Sequence, residues 1–346
     1  MVIVSSNHIG WWFIMSFQRD IKLHRRLLCE LQNKYHFSPK NVVRHTHTLL
    51  LNKSDKHEDR TIHLYRPEKP QFRGYKFHQN SKLWSTILYI PGTAFVGREM
   101  AYTNVICGKL AEYSKCQVIL LPHRLAPEYK FPAQHDDVSN SIDKLLHHSE
   151  KYKIDKNNIV LAGYSTGGTL AASVASRFRK NIRKLILISP LLDFSRSVKK
   201  YREYEQKDAS LPKGFTRWFS NLYIPKEISK KNPKLSPLWA HDLKHYPPTD
   251  IIFGEYDSYR GDSEEFINKL IDSGIQAKKI IFPSGDHSLL WENNTAIKQV
   301  ANISRKAFDL GFITPRIKNV VDTLILKSKD LMPCNYTSSQ CAHKLS

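Results

Sequence analysis

Cysteine is scarce in this chain. The 346 residues hold five, at Cys29, Cys107, Cys116, Cys334 and Cys341, an odd number at scattered spacing. None forms a C-x-x-C pair, so a disulfide framework is not expected and a reduced, cytoplasmic setting is. Zinc-ligand spacing, an RNA-binding aromatic signature and a Gly-rich phosphate loop are all missing, which argues against nucleic acid as a partner. Long apolar runs are missing too. The N-terminal stretch Ile9-Gly10-Trp11-Trp12-Phe13-Ile14-Met15 is too short to span a bilayer, and it lacks the basic start and small-residue cleavage site of a signal peptide. It is expected either to pack over the mouth of a site or to precede a true start at Met15. Acidic residues are in deficit, 32 against 53 lysines and arginines, for a formal charge of +21. The basic residues are spread, as in Lys22 to Arg26, Arg179 to Lys184, Lys199-Lys200, Lys230-Lys231 and Lys278-Lys279. That spread reads as a solvated basic surface; the sharper reading is a weak attraction to anionic membrane.

What is present is a chain long enough, at 41% apolar content, for one large α/β domain with a cap or for two ordinary domains. Apolar periodicity predicts helices over 18–37, 99–113, 135–150, 166–179, 260–273 and 293–309. Short apolar runs predict strands over 60–66, 84–90, 116–121, 158–162, 185–188, 249–254 and 278–282. Strands alternating with helices imply a mainly parallel sheet with helices on both faces, and ligands in such sheets sit beyond the carboxyl ends of the strands. Residues 193–246 break the rhythm. They are polar, helical in pattern, and carry the aromatics Phe215, Trp218, Phe219 and Tyr223. The stretch reads as an insertion over the sheet. After about Leu326 periodicity is lost, and a loose tail is expected.

The sharpest local signal is Gly163-Tyr164-Ser165-Thr166-Gly167-Gly168, directly after the apolar run Ile159 to Ala162. G-x-S-x-G between a strand and a helix puts the serine on a strained turn with its hydroxyl clear of the backbone. A serine hydroxyl is a weak nucleophile and needs a base. Among 16 histidines, His287 follows the last apolar strand, in Pro283-Ser284-Gly285-Asp286-His287. The base needs a carboxylate to hold its tautomer. Asp257, in Gly254-Glu255-Tyr256-Asp257, stands after the preceding strand. Glu255 reads as a loop support, Asp262 as opening or capping the next helix, and Asp286 as too close in sequence to its neighbour. The order Ser, Asp, His is the one used on this kind of sheet. An oxyanion also needs amide donors. Pro91-Gly92-Thr93-Ala94-Phe95 follows the strand over 84–90, and Thr166 follows the serine.

From about residue 85 to about residue 309 the chain resembles the hormone-sensitive-lipase-like branch of the α/β-hydrolases, the capped bacterial carboxylesterases. Pro91 to Val96 looks like that family's H-G-G-[GA]-F-V loop, and His123-Arg124-Leu125-Ala126-Pro127-Glu128 with Phe131-Pro132-Ala133 is similar to its Y-R-L-A-P-E…F-P-A segment. Gly163 to Gly168 matches G-[DE]-S-A-G-G; Ser189 to Asp193 and Leu235 to Leu238 match the sequences flanking the cap. The resemblance implies an α/β-hydrolase fold with a helical cap. Residues 1–50 would contribute to that cap, 51–312 would form the catalytic domain with the cap insertion at about 195–245, and 313–346 would be the tail. It implies a catalytic Ser165, Asp257 and His287, and an oxyanion hole from the amides of Thr93, Ala94 and Thr166. The expected substrates are carboxylic esters of short to medium acyl chain, taken as small molecules without metal or other cofactor. Phe95, Tyr164, Phe215, Trp218 and Phe219 are the candidate pocket residues; cap packing is the competing reading for the cap aromatics. Amides, lactones and thioesters, or a non-catalytic receptor-like binder, are the alternatives. Three departures stand out: Pro91 for histidine, Thr93 for glycine, where positive φ would be strained, and Tyr164 for the acidic residue before the nucleophile.

Overall fold

The computed structural model describes residues 42–49, 60–68, 83–97, 101–196 and 201–310. The expected helix over 18–37, the stretch 9–15 and the tail after 313 lie outside these residues. Eight strands form one sheet: β1 Val42–Leu49, β2 Arg60–Pro67, β3 Trp84–Ile90, β4 Gln117–Leu120, β5 Ile154–Tyr164, β6 Ile182–Ile188, β7 Thr249–Gly254 and β8 Ala277–Phe282. Their order is β1-β2-β4-β3-β5-β6-β7-β8. The first two strands pair antiparallel with each other, and β2 with β4; every later pairing is parallel. The helices are α1 Ala101–Ser114, α2 Ala133–His147, α3 Thr166–Ala175, α4 Tyr201–Lys207, α5 Phe215–Tyr223, α6 Arg260–Asp272, α7 Leu289–Glu292 and α8 Asn294–Ala307.

The strand residues explain the layers. Leu88, Ile90, Ile119, Ile159, Leu161, Leu185, Leu187, Ile251 and Phe253 pack into one core. Their alternate neighbours Ile87, Tyr89, Val118, Leu120, Val160, Ala162, Ile186, Ile188 and Ile252 pack into the other. Successive side chains leave a strand on opposite faces, so a strand that is apolar throughout needs a helical layer on each side. The ends of α8 show local encoding: the Asn293 side chain caps it by accepting from Thr295 N at 2.8 Å, and Arg305 and Lys306 close it.

Strand β1 was not expected. It reads Val-Val-Arg-His-Thr-His-Thr-Leu, buries only its two ends, and is held by its antiparallel partner at the sheet edge. Between β6 and β7 stand α4, α5 and a 3-10 turn, Pro237–Trp239. They are tied to the sheet's loops: Phe131 N donates to Tyr223 O at 3.0 Å, Tyr223 Oη bonds His135 Nε2 at 2.8 Å, and Thr216 Oγ1 bonds Tyr259 Oη at 2.8 Å.

Candidate active site

β5 stops at Tyr164 and α3 starts at Thr166, so Ser165 makes the whole turn, with φ 54° and ψ −121°. That left-handed conformation is costly for a residue with a Cβ and is held by its surroundings. Ser165 N donates to Ile188 O at 2.9 Å, tying the turn to β6. The flanking glycines are required by close approach. A Cβ on Gly163 would sit 2.3 Å from Gly167 O, and one on Gly167 would sit 2.2 Å from Ile90 O. The turn therefore packs directly on the end of β3, where the oxyanion-type loop begins.

Ser165 stays partly exposed, and its Oγ lies 2.9 Å from His287 Nε2. The other ring nitrogen, Nδ1, lies 3.2 Å from Asp257 Oδ1. A carboxylate only accepts, so Nδ1 carries the proton and Nε2 is left to accept from the serine hydroxyl. Asp257 and His287 are buried. Burial opposes a charged imidazole, but Asp257, then Asp208 and Asp286, outweigh it and hold the His287 pKa above its ordinary value.

Aromatic rings fix the imidazole plane. Tyr164 stacks on it at 5.5 Å between centroids, and Tyr259 meets it edge-on at 5.0 Å. The Tyr164 hydroxyl donates to His287 O at 2.5 Å, and Tyr259 N donates to Asp257 Oδ1 at 2.8 Å. The acidic neighbours separate by function. Glu255 accepts from Ser284 N at 2.9 Å and so braces the histidine loop, as expected of a support. Asp262 does not cap its helix; it is buried and accepts from Leu192 N and Asp193 N at 3.2 and 3.1 Å, pinning the chain after β6.

The loop after β3 carries its positive φ at Ala94 (49°) and Phe95 (59°), not at Thr93. The strain anticipated for a threonine in place of glycine is thus absent from Thr93 and borne by its two successors. Thr93 N donates to Thr166 Oγ1 at 3.2 Å. Its hydroxyl lies 3.3 Å from His123 Nε2, whose Nδ1 faces Arg124 O at 2.9 Å. The Arg124 carbonyl can only accept, so Nδ1 donates and Nε2 accepts the Thr93 hydroxyl proton.

The candidate pocket residues divide. Phe95 is fully enclosed, stacked on Tyr223 at 3.8 Å, and Phe219 is buried beside it. Tyr164 is enclosed beneath the imidazole. Phe215 and Trp218 keep part of their surface and stack on each other at 5.7 Å. Asp208, which no motif singled out, brings a carboxylate within 4.8 Å of the reactive atoms of both Asp257 and His287. Those three groups include the ligand types of a cation site, yet His287 Nδ1 and Asp257 Oδ1 face each other as a hydrogen-bonded pair, leaving Asp257 Oδ2 free.

The sequence pattern of the alpha/beta hydrolase fold matches residues 87–290. This chain belongs to the alpha/beta hydrolase family. An arylesterase of Saccharolobus solfataricus is 30% identical over 264 residues, covering 75% of this chain and 81% of that one. An ethyl acetate hydrolase of Pseudomonas putida is 24% identical over 239 residues, covering 66% and 71%. Among solved structures, an alpha/beta hydrolase enzyme from the metagenome of Lake Arreo superposes with a TM-score of 0.73 at 24% identity, over 84% of this chain and 90% of that one. In this alpha/beta hydrolase the serine turn, the loop after β7 and the loop after β8 meet at the carboxyl edge of the sheet, as the resemblance implied. Tyr259 and Asp208 complete the surroundings of the histidine. Asp208 had no sequence signal beyond Asp-x-Ser, which encodes a turn.

Proposed function

We propose that this alpha/beta hydrolase cleaves small carboxylic esters through an acyl-enzyme on Ser165. The observation that carries the reading is the unbroken chain of Ser165 Oγ, His287 and Asp257 on a strained, partly exposed serine turn. His287 takes the Ser165 proton as Oγ bonds to the carbonyl carbon. The carbonyl oxygen becomes an oxyanion facing the amides of Thr93, Ala94 and Thr166. His287 then protonates the leaving alcohol, and water repeats the sequence to release the acid. Relatives named arylesterase and ethyl acetate hydrolase support short or aromatic esters. Phe215 and Trp218, the half-buried cap aromatics, are the side chains we assign to the acyl group, with residues 195–245 as the cap. Amides, lactones and thioesters would pass through the same atoms. Buried thiols at Cys107 and Cys116 support a reducing, cytoplasmic setting, and the +21 charge supports weak attraction to anionic membrane. No helix among the described residues is long and apolar enough to cross a membrane.

One observation favours a receptor-like binder on the same scaffold: the Thr93 amide is already engaged by Thr166 Oγ1. A fluorophosphonate separates the two. An enzyme is labelled at Ser165, and a binder stays unmodified. Ser165→Ala should lose label and cut kcat on p-nitrophenyl esters by on the order of 10⁵–10⁶. Near-normal turnover in that variant would end the assignment.

A further inference from the structure

We propose that Asp208, contributed by the turn after α4, is a positioning residue whose carboxylate acts on His287 together with Asp257. The proposal rests on the Ser165–His287–Asp257 reading above. Asp208 stands outside the sheet, in the insertion between β6 and β7, yet it is buried and aimed at the histidine pair. Its Oδ2 accepts from Ser258 N at 2.8 Å, the residue directly after Asp257. Its Oδ1 accepts from Ser210 N at 2.9 Å, Ser210 Oγ at 2.7 Å and Leu211 N at 3.3 Å. Three of the four partners, the amides of Ser258, Ser210 and Leu211, can only donate; the Ser210 hydroxyl can donate or accept. Three fixed amide donors favour the carboxylate over the carboxylic acid. Burial, then the neighbouring Asp257, hold the Asp208 pKa above its ordinary value, and His287 with the Ser210 and Ser258 donors offsets part of that rise.

Two consequences follow from placement. First, Asp208 and Tyr259 N hold the Asp257 loop from two sides, so the orientation of Asp257 depends on the insertion. Second, the imidazolium formed during turnover faces two carboxylates in a dry setting. The groups around His287 are Asp257 from the loop after β7, Asp208 from the insertion, Asp286 on its own loop, Tyr164 at the end of β5, Tyr259 at the start of α6, and Ser165. No cation figures among the causes that set its pKa. Removing the Asp208 charge makes the imidazolium less favourable, so the neutral base persists to lower pH.

The test compares Asp208→Asn with Asp208→Glu. The readouts are the pH profile of kcat/KM on a soluble p-nitrophenyl ester and the proton NMR titration of the His287 Nδ1–H resonance. Asp208→Asn should move the acid limb, and the resonance midpoint with it, down by about one pH unit. Asp208→Glu should stay with wild type. Unchanged midpoints in Asp208→Asn, or equal shifts in both variants, overturn the proposal. If Asp208→Asn does not fold, Asp208→Ser removes the same charge with a smaller polar side chain. The NMR titration does not depend on turnover, so an active Ser165→Ala would remove the ester reading while the resonance still reports the Asp208 charge.

Discussion

Threonine stands at the two positions where the related motif has glycine and alanine, and the hydroxyl of one has captured the backbone amide of the other. Thr93 N donates to Thr166 Oγ1, so that amide must change partner before it can face an oxyanion. A neutral hydrogen bond is worth about 0.5–1.5 kcal/mol net, which is a factor of about 2–10 in rate if it must be broken. Thr166→Val keeps the branched shape and removes the acceptor. We expect kcat/KM on p-nitrophenyl acetate to rise by about 2–10-fold, the factor that bond is worth. Steady-state kinetics check this; a fall would mean that the hydroxyl itself serves the oxyanion. Tyr164 carries a second prediction at this scale. Its hydroxyl holds the His287 carbonyl from below, so Tyr164→Phe should cost roughly 1–3 kcal/mol by leaving that buried acceptor without its donor. Denaturant unfolding reads that cost directly. Serine chemistry was legible at these positions because it is written in adjacent residues. The rerouting of the Thr93 amide was not, because it joins residues 73 positions apart.

Elements place those residues, and the tightest joint lies between β3 and α3. A methyl group on Gly167 would stand 2.2 Å from Ile90 O and 2.6 Å from Pro91 O, both backbone atoms of the strand end that launches the Thr93 loop. Backbone cannot rotate away as a side chain can, so one element must slide. Gly167→Ala should therefore cost about 1–3 kcal/mol of stability and also lower kcat, because the amide loop moves with the strand. Thermal unfolding and the ester assay measured together check both losses. A variant that loses stability but keeps kcat would mean that the helix alone gives way. This joint was legible as glycine spacing. The central parallel strands were legible for a related reason: β3 and β7 are buried on both faces and so read as apolar runs, and the predicted 84–90 and 249–254 match them residue for residue. β1 failed that test because an edge strand with exposed Arg44 and Thr46 flanked by half-buried His45 and His47 has no apolar run to show. Asp262 was legible only in part. It stands in the first turn of α6, as its position suggested, but its burial against two amides after β6 depends on packing between segments some 70 residues apart.

At the scale of the whole molecule the dominant feature is charge, 53 basic residues against 32 acidic. Exposed ion pairs such as Arg177–Asp143 and Lys234–Asp136 exist, at 2.6 and 2.7 Å, but pairs of this kind contribute about 0–1 kcal/mol each and weaken in salt. The excess of +21 repels itself over longer range, and that repulsion also weakens in salt. The two effects oppose each other. The excess should win, because pairing every one of the 32 acidic residues would still leave a surplus of 21 positive charges. Raising ionic strength from 0.01 M to 1 M shortens the screening length from about 30 Å to about 3 Å. Over that range the melting temperature should rise. The proposed attraction to anionic lipid would draw on the same field, so co-sedimentation with phosphatidylserine-containing vesicles should fall over the same range and be absent with neutral phosphatidylcholine vesicles. The two responses have opposite signs and one cause. A melting temperature that drops with salt would show that specific pairs outweigh the net charge. Vesicle binding that survives 1 M salt would require an apolar anchor in place of the electrostatic one.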